Sequence, residues 1–348
     1  MEINKFDTNI LVVGNGFDIY HGLKTKYFDF VQYTVKVKNG EISVINNIYN
    51  LCSENMFIVY FQEEAKENQG WIDCEKEIEL LCTIFDKLVN NKDAINHDGY
   101  LNKGIIDIHE KNILKFATKY FRDNSAVLQL KDIYLHRYKK INKNLILQTF
   151  KNDLDDFIQV FYYYLWQEID YNSINVRSNQ IRGIEFSYVV NFNYTDTFKL
   201  YNIENANVCY IHGSITAGKD SMVLGTRDIE DESLDLIYFR KFFQRIQKRG
   251  DLLDKRQFVI NPSTYDLYAE KGNVNAHFFG HSLSDTDGDI IRTIADLSKK
   301  LIIYYYNQED YEQKVISIFE VFKKKKAQEL ISGGKVNFVK LEAAQKVE

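Results

Sequence analysis

Proline is almost absent from the chain: Pro262 is the only one in 348 residues. That excludes proline-rich linkers and extended docking tracts, and it suits long uninterrupted helices. Cysteine is scarce too. Cys52, Cys74, Cys82 and Cys209 contain no C-x-x-C pair, so neither a zinc ribbon nor a disulfide framework is expected, and no metal site is assigned. They read as buried thiols of a reducing compartment. No stretch approaches the roughly 18 uninterrupted apolar residues of a membrane helix. The start Met-Glu-Ile-Asn-Lys lacks the basic and then apolar pattern of a secretory leader. A cytoplasmic protein without a membrane partner is expected. An excess of positive charge is also missing. The net charge of −5 gives no global field that draws in nucleic acid, and such a partner is not expected.

Aromatic residues, in contrast, are plentiful, with 24 Tyr and 24 Phe, and 45% of the chain is hydrophobic. This supports a large core, in one elaborated domain or a domain with a long insertion. Apolar runs with strand character occur at 9–14, 186–190, 207–211, 221–224, 275–279, 300–306 and 336–339. Helical spacing follows the first run to about residue 35 and recurs at 285–298 and 308–326. From 40 to 182 the periodicity is mostly helical, as in Ile78, Leu81, Cys82, Phe85 and Leu88. The expectation is an α/β fold: a Rossmann-like, mostly parallel sheet built from 1–39 and 183–348, with 40–182 as a helical insertion or cap.

Four polar segments each follow an expected strand. Gly14-Asn15-Gly16-Phe17-Asp18 comes after Ile10-Leu11-Val12-Val13, with Gly22 eight residues beyond Gly14. A strand feeding a Gly-x-Gly turn brings backbone N–H groups close to a ligand, and a following helix start favours phosphate. The second segment is Asn191-Phe192-Asn193-Tyr194-Thr195-Asp196-Thr197, and the third is His212-Gly213-Ser214. The fourth, Gly280-His281-Ser282-Leu283-Ser284-Asp285 with Asp287, approaches a nucleophile elbow. It lacks the last glycine, and no histidine follows His281, so a serine hydrolase is not expected. In an open parallel sheet, ligands bind at the carboxyl ends of strands, so one cleft is expected to collect all four. His212 is a candidate general base because imidazole titrates near neutrality. Trp71, Asp73 and Glu75 either reach that cleft or start a helix. The lysine run 323–326 reads as a solvated helix end.

These segments together resemble the bacterial AbiH family of abortive-infection proteins: Gly14 to Asp18 with Gly22-Leu23-Lys24-Thr25, then Trp71-Ile72-Asp73-Cys74-Glu75, Phe192-Asn193-Tyr194-Thr195, Tyr210 to Ser214, and Gly280 to Ser284 with Asp287. That family in turn resembles the sirtuin-like NAD-binding fold. The resemblance implies a phage-defence effector with NAD+ as ligand or substrate. Gly14, Asn15, Gly16, Asp18 and Gly22 would line the dinucleotide, with Tyr194, Gly213 and Ser214. Asn193 would orient the ribose and His212 would act as the base. Gly280, His281 and Ser282 would meet the adenosine end. The sirtuin zinc module has no counterpart here, which leaves hydrolysis of NAD+ to nicotinamide and ADP-ribose as the implied reaction. A non-catalytic nucleotide-sensing module is the alternative, and a nucleic-acid-targeting toxin is a weaker one. A phage-derived activator and self-association are the partners such an effector implies.

Overall fold

Thr8–Val13 forms β1, and its side chains enter two different cores. Ile10 and Val12 face one, Leu11 and Val13 the other. A strand covered on both faces has no polar side to present, so its sequence is continuously apolar rather than alternating. This geometry comes from a computed structural model, which describes residues 8–67, 72–124, 127–136, 140–174, 176–201, 203, 206–227, 233–248, 273–343 and 345–346. Trp71 lies outside the described residues.

β1 sits inside a six-stranded sheet with β2 (Tyr188–Asn191), β3 (Asn207–Tyr210), β4 (Val274–Phe279), β5 (Ser298–Tyr305) and β6 (Val336–Lys340). All pairings are parallel and the order is β3-β2-β1-β4-β5-β6. The chain builds outward from β1 to β3 and then returns to the other side of β1. This is the doubly wound Rossmann order, and its switch point lies between β1 and β4. Helices α2 (Gly288–Leu297) and α3 (Gln308–Ser332) cover one face through Ile290, Ile291, Ile294, Ile318 and Val321. Phe17 of the short α1 (Asn15–Tyr20), Ile181 and Phe198 cover the other.

The chain divides into two compact units. The sheet belongs to the first, made of Met1–Thr25, Glu168–Val223 and Arg245–Glu348. The second comprises Lys26–Gln167 and Leu224–Gln244. It is organised around aromatic side chains: Phe150 stacks on Phe85 at 4.1 Å and on Phe239 at 4.4 Å. Within it Asp73 caps the helix Cys74–Asn90 by accepting from the Lys76 amide, and Glu75 pairs with buried Lys241 at 2.6 Å. Phe121–Asn124 and Val127–Leu130 form a two-stranded antiparallel hairpin, too short to register against the surrounding helical periodicity.

Of the expected strands, only Ser221-Met222-Val223-Leu224 fails to join the sheet. Its side chains are buried from Met222 to Leu224, but its backbone is satisfied without a ladder. Val223 N–H donates to His212 O, while the Gln244 side chain both accepts from Leu224 N–H and donates to Leu224 O.

At the switch point the turns after β1 and β4 touch. Gly14 N–H donates to Phe279 O at 3.2 Å, and Gly16 N–H donates to Gly280 O at 2.8 Å. A Cβ on Gly280 would lie 1.9 Å from Phe17 N, and one on Gly14 would lie 2.6 Å from His281 Cα. Gly280 also has a φ of +68°. Gly280→Ala should therefore cost about 4 kcal/mol or prevent folding, as overlap and backbone strain combine. Gly22 shares the left-handed backbone, at φ +85°, but has open space around it. Gly22→Ala should lose only about 1–2 kcal/mol. Urea unfolding of the two variants checks this contrast, and equal losses would refute the role assigned to the contact.

Candidate functional site

Register fixes where the four polar segments emerge. Val13 pairs with Asn191 and with Phe279, and Asn191 pairs with Tyr210. The next residues, Gly14, Phe192, Ile211 and Gly280, therefore leave four adjacent strands at one level. Side chains from these segments then bond to one another in two clusters.

The first cluster lies against α1. Asn191 Oδ1 accepts from the Asn193 amide at 2.9 Å, and its Nδ2 donates to Thr195 O at 2.8 Å. This holds a tight turn from which Asn193 Nδ2 donates to Gly14 O at 3.0 Å. Asp18, fully enclosed, accepts from the Thr195 hydroxyl at 2.6 Å through Oδ2, while its Oδ1 has no partner. Burial raises the Asp18 carboxyl to about 6, against the opposing effect of the Thr195 hydroxyl bonded to it. Exposed Asn15 accepts from the Thr25 hydroxyl. His21 has ordinary anchors: its Nδ1 meets Phe17 O at 2.6 Å, so that nitrogen carries the hydrogen, and Nε2 accepts from Tyr201.

The second cluster is built around His212. Nδ1 lies 3.1 Å from Phe192 O and Nε2 lies 2.9 Å from Asp287 Oδ1. Both partners carry acceptor oxygens, and each ring nitrogen is engaged by one of them. His212 and Asp287 are both buried. The Phe192 ring packs between His212 at 5.5 Å and His281 at 4.2 Å. Gly213, at φ +80°, allows the chain to fold back on itself: a Cβ there would meet Ser221 O at 2.1 Å. Ser214 caps this loop by accepting from the Ala217 amide. Tyr194 closes it from the other side, donating to Val223 O at 2.8 Å.

Beyond Gly280, His281 Nδ1 accepts from the Leu283 amide, and Leu283 is held at a φ of +60°. A buried leucine in that region is strained, as residues at ligand sites often are. Ser282 is exposed at the tip of this turn. Gly22 follows α1, its amide donating to Ile19 O, with nothing within 4 Å of the position a Cβ would take.

One participant escaped the sequence reading. Arg245, 2% exposed, reaches Asp289 with Nη2 and lies 3.8 Å from Asp287 Oδ1 with Nη1. Among the described residues its Nε and Nη1 have no hydrogen-bond partner. It lies in Lys-Phe-Phe-Gln-Arg-Ile-Gln-Lys, whose pattern reads only as an amphipathic helix. Asp287 itself had a signal, since it follows the fourth segment. Among the described residues no helix is long and apolar enough to cross a membrane.

A parallel sheet in the Rossmann order, with polar side chains collected where β1 to β4 end, defines a Rossmann-like α/β protein with a strand-end site. The model of the family described as bacteriophage abortive infection AbiH matches residues 10–307, and the chain belongs to that family. Its role is accordingly bacterial abortive infection, a defence against phage. No curated protein and no solved structure matched the chain.

The raised Asp18 carboxyl gives a pH test. The folded state holds this proton up to about pH 6, while an unfolded chain releases it near the ordinary carboxylate value of 3.8. Between those values the folded state binds more protons, so this group's contribution to stability falls as pH rises toward 6 and stays low above it. His21 and His277, lowered by burial to about 4, act in the opposite direction, adding stability as pH rises from about 4 to 6.5. The difference between Asp18→Asn and wild type isolates the carboxylate. It should favour the variant by about 2–3 kcal/mol at pH 7 and shrink toward zero near pH 4. Urea unfolding across that range measures it, and a pH-independent difference would contradict the assignment.

Proposed function

We propose that this protein defends its host by binding NAD+ at the strand ends of the sheet and hydrolysing it to nicotinamide and ADP-ribose. The buried His212–Asp287 pair carries the reading. It lies at the level where β1 to β4 end, beside the Asn193 turn. In the reaction, water adds to C1′ of the nicotinamide ribose while the C1′–N bond breaks. Nicotinamide leaves with the bonding electrons as a neutral molecule, and the water gives up one proton. Asp287, oriented by His212, takes that proton. Its negative charge also faces the positive charge that develops on the ribose. Asn193 orients the sugar, a contribution of positioning rather than chemistry.

The fit to a dinucleotide is uneven, and this favours a second reading. The Gly14 and Gly16 amides, expected to meet the pyrophosphate, already donate to Phe279 and Gly280. Both His212 nitrogens are engaged as well. A module that senses a nucleotide without turning it over accommodates both facts. Under the first reading, the same burial is the resting state of an enzyme that must stay silent before infection. A phage-derived activator or self-association then opens it.

Purified protein, with and without lysate of infected cells, should release nicotinamide from NAD+ and leave RNA and DNA intact. Asp287→Asn should lower turnover by about 10²–10⁴-fold. His212→Ala should do the same, with circular dichroism unchanged for both. Persistent phage protection by His212→Ala, with no NAD+ loss in infected wild-type cells, would favour the sensing module.

A further inference from the structure

Buried guanidinium groups normally engage their donors, because each unpaired N–H removed from water costs free energy. Arg245 departs from this. One of its three nitrogens is held by Asp289, and among the described residues Nε and Nη1 have no acceptor. The side chain is 2% exposed, so bulk solvent does not reach these donors. Nη1 and His212 Nε2 approach the same oxygen, Asp287 Oδ1, at 3.8 and 2.9 Å. The unused donors therefore sit one carboxylate away from His212.

We infer that Arg245 is the phosphate-holding residue of this site, taking an anionic oxygen of a nucleotide on Nε and Nη1. The inference rests on the nucleotide reading given above and moves the anion position away from the glycine turn, whose amides are engaged. Lys248, one helical turn beyond Arg245, donates to Met222 O in the loop that follows His212. Charge-assisted bonds from guanidinium to phosphate are among the stronger ones available to a protein. The chemistry also suits the distance. In a nucleotide the 5′-phosphate is one sugar ring from the glycosidic carbon, so an anion on Arg245 leaves that carbon close to Asp287. Asp289, which is partly exposed, competes for the same guanidinium and so restrains anion binding.

Calorimetric titration with ADP and with inorganic pyrophosphate tests the inference without requiring turnover, and adenosine serves as the phosphate-free control. Wild type should bind ADP and pyrophosphate and bind adenosine far more weakly. Arg245→Gln should lose about tenfold or more in affinity for both phosphate ligands and leave adenosine unchanged. Asp289→Asn, at a partly exposed position, should tighten ADP severalfold, and it decides the matter if Arg245→Gln does not fold. Absence of ADP and pyrophosphate binding by wild type would overturn the inference, as would an Asp289→Asn variant with unaltered affinity. The two readings fail separately. ADP binding that depends on Arg245, without release of nicotinamide from NAD+, removes the hydrolase and keeps the phosphate site. Hydrolysis of NAD+ with an unchanged KM in Arg245→Gln removes the phosphate site and keeps the hydrolase.

Discussion

The site depends on one steric constraint: the backbone turns after β1 and β4 meet so closely that neither tolerates a Cβ. Gly14, Gly16 and Gly280 allow the approach, and two N–H···O bonds hold it. With these ends joined and β2 and β3 in register beside them, loops that start from four strands share one level. The same contact uses amides that a Gly-x-Gly turn in a dinucleotide-binding protein presents to phosphate. Glycine here serves the packing of protein against protein.

Burial of charge sets the character of the rest. Asp18 is enclosed with one oxygen unpartnered, and Arg245 is enclosed with two nitrogens unpartnered. Neither is explained by stability, because replacing a buried ionic group by apolar residues is often neutral or favourable. The two lie in different clusters. Asp18 tightens the turn that carries Asn193, whereas Arg245 stands beside Asp287 and His212.

Much of the sheet was legible because both of its faces are covered, which turns each central strand into an unbroken apolar run bounded by glycine or asparagine. Val12-Val13-Gly14 and Phe278-Phe279-Gly280 are such boundaries. The run 221–224 carries the same signal and yet forms no strand, since a side chain amide, that of Gln244, replaces a neighbouring strand as its partner. Composition cannot reveal such a substitution. The convergence of His212 with Asp287 could be anticipated, as both follow strands of one sheet. Arg245 could not: its helix has no distinguishing spacing, and what sets the residue apart is a missing partner, a property only of three-dimensional structure.

The sheet is assembled from three separated stretches of chain, and β1, made first, pairs with residues that follow it by more than 170 positions. During synthesis the central strand must wait, apolar on both faces, until 188–191 and then 274–279 have left the ribosome. Such a high contact order predicts slow folding and a period of vulnerability to aggregation and to proteases. It also has a protective side for a cell that makes an abortive-infection protein. A product of interrupted translation ending before residue 274 lacks β4 and with it Asp287, so a partial chain cannot carry the complete site.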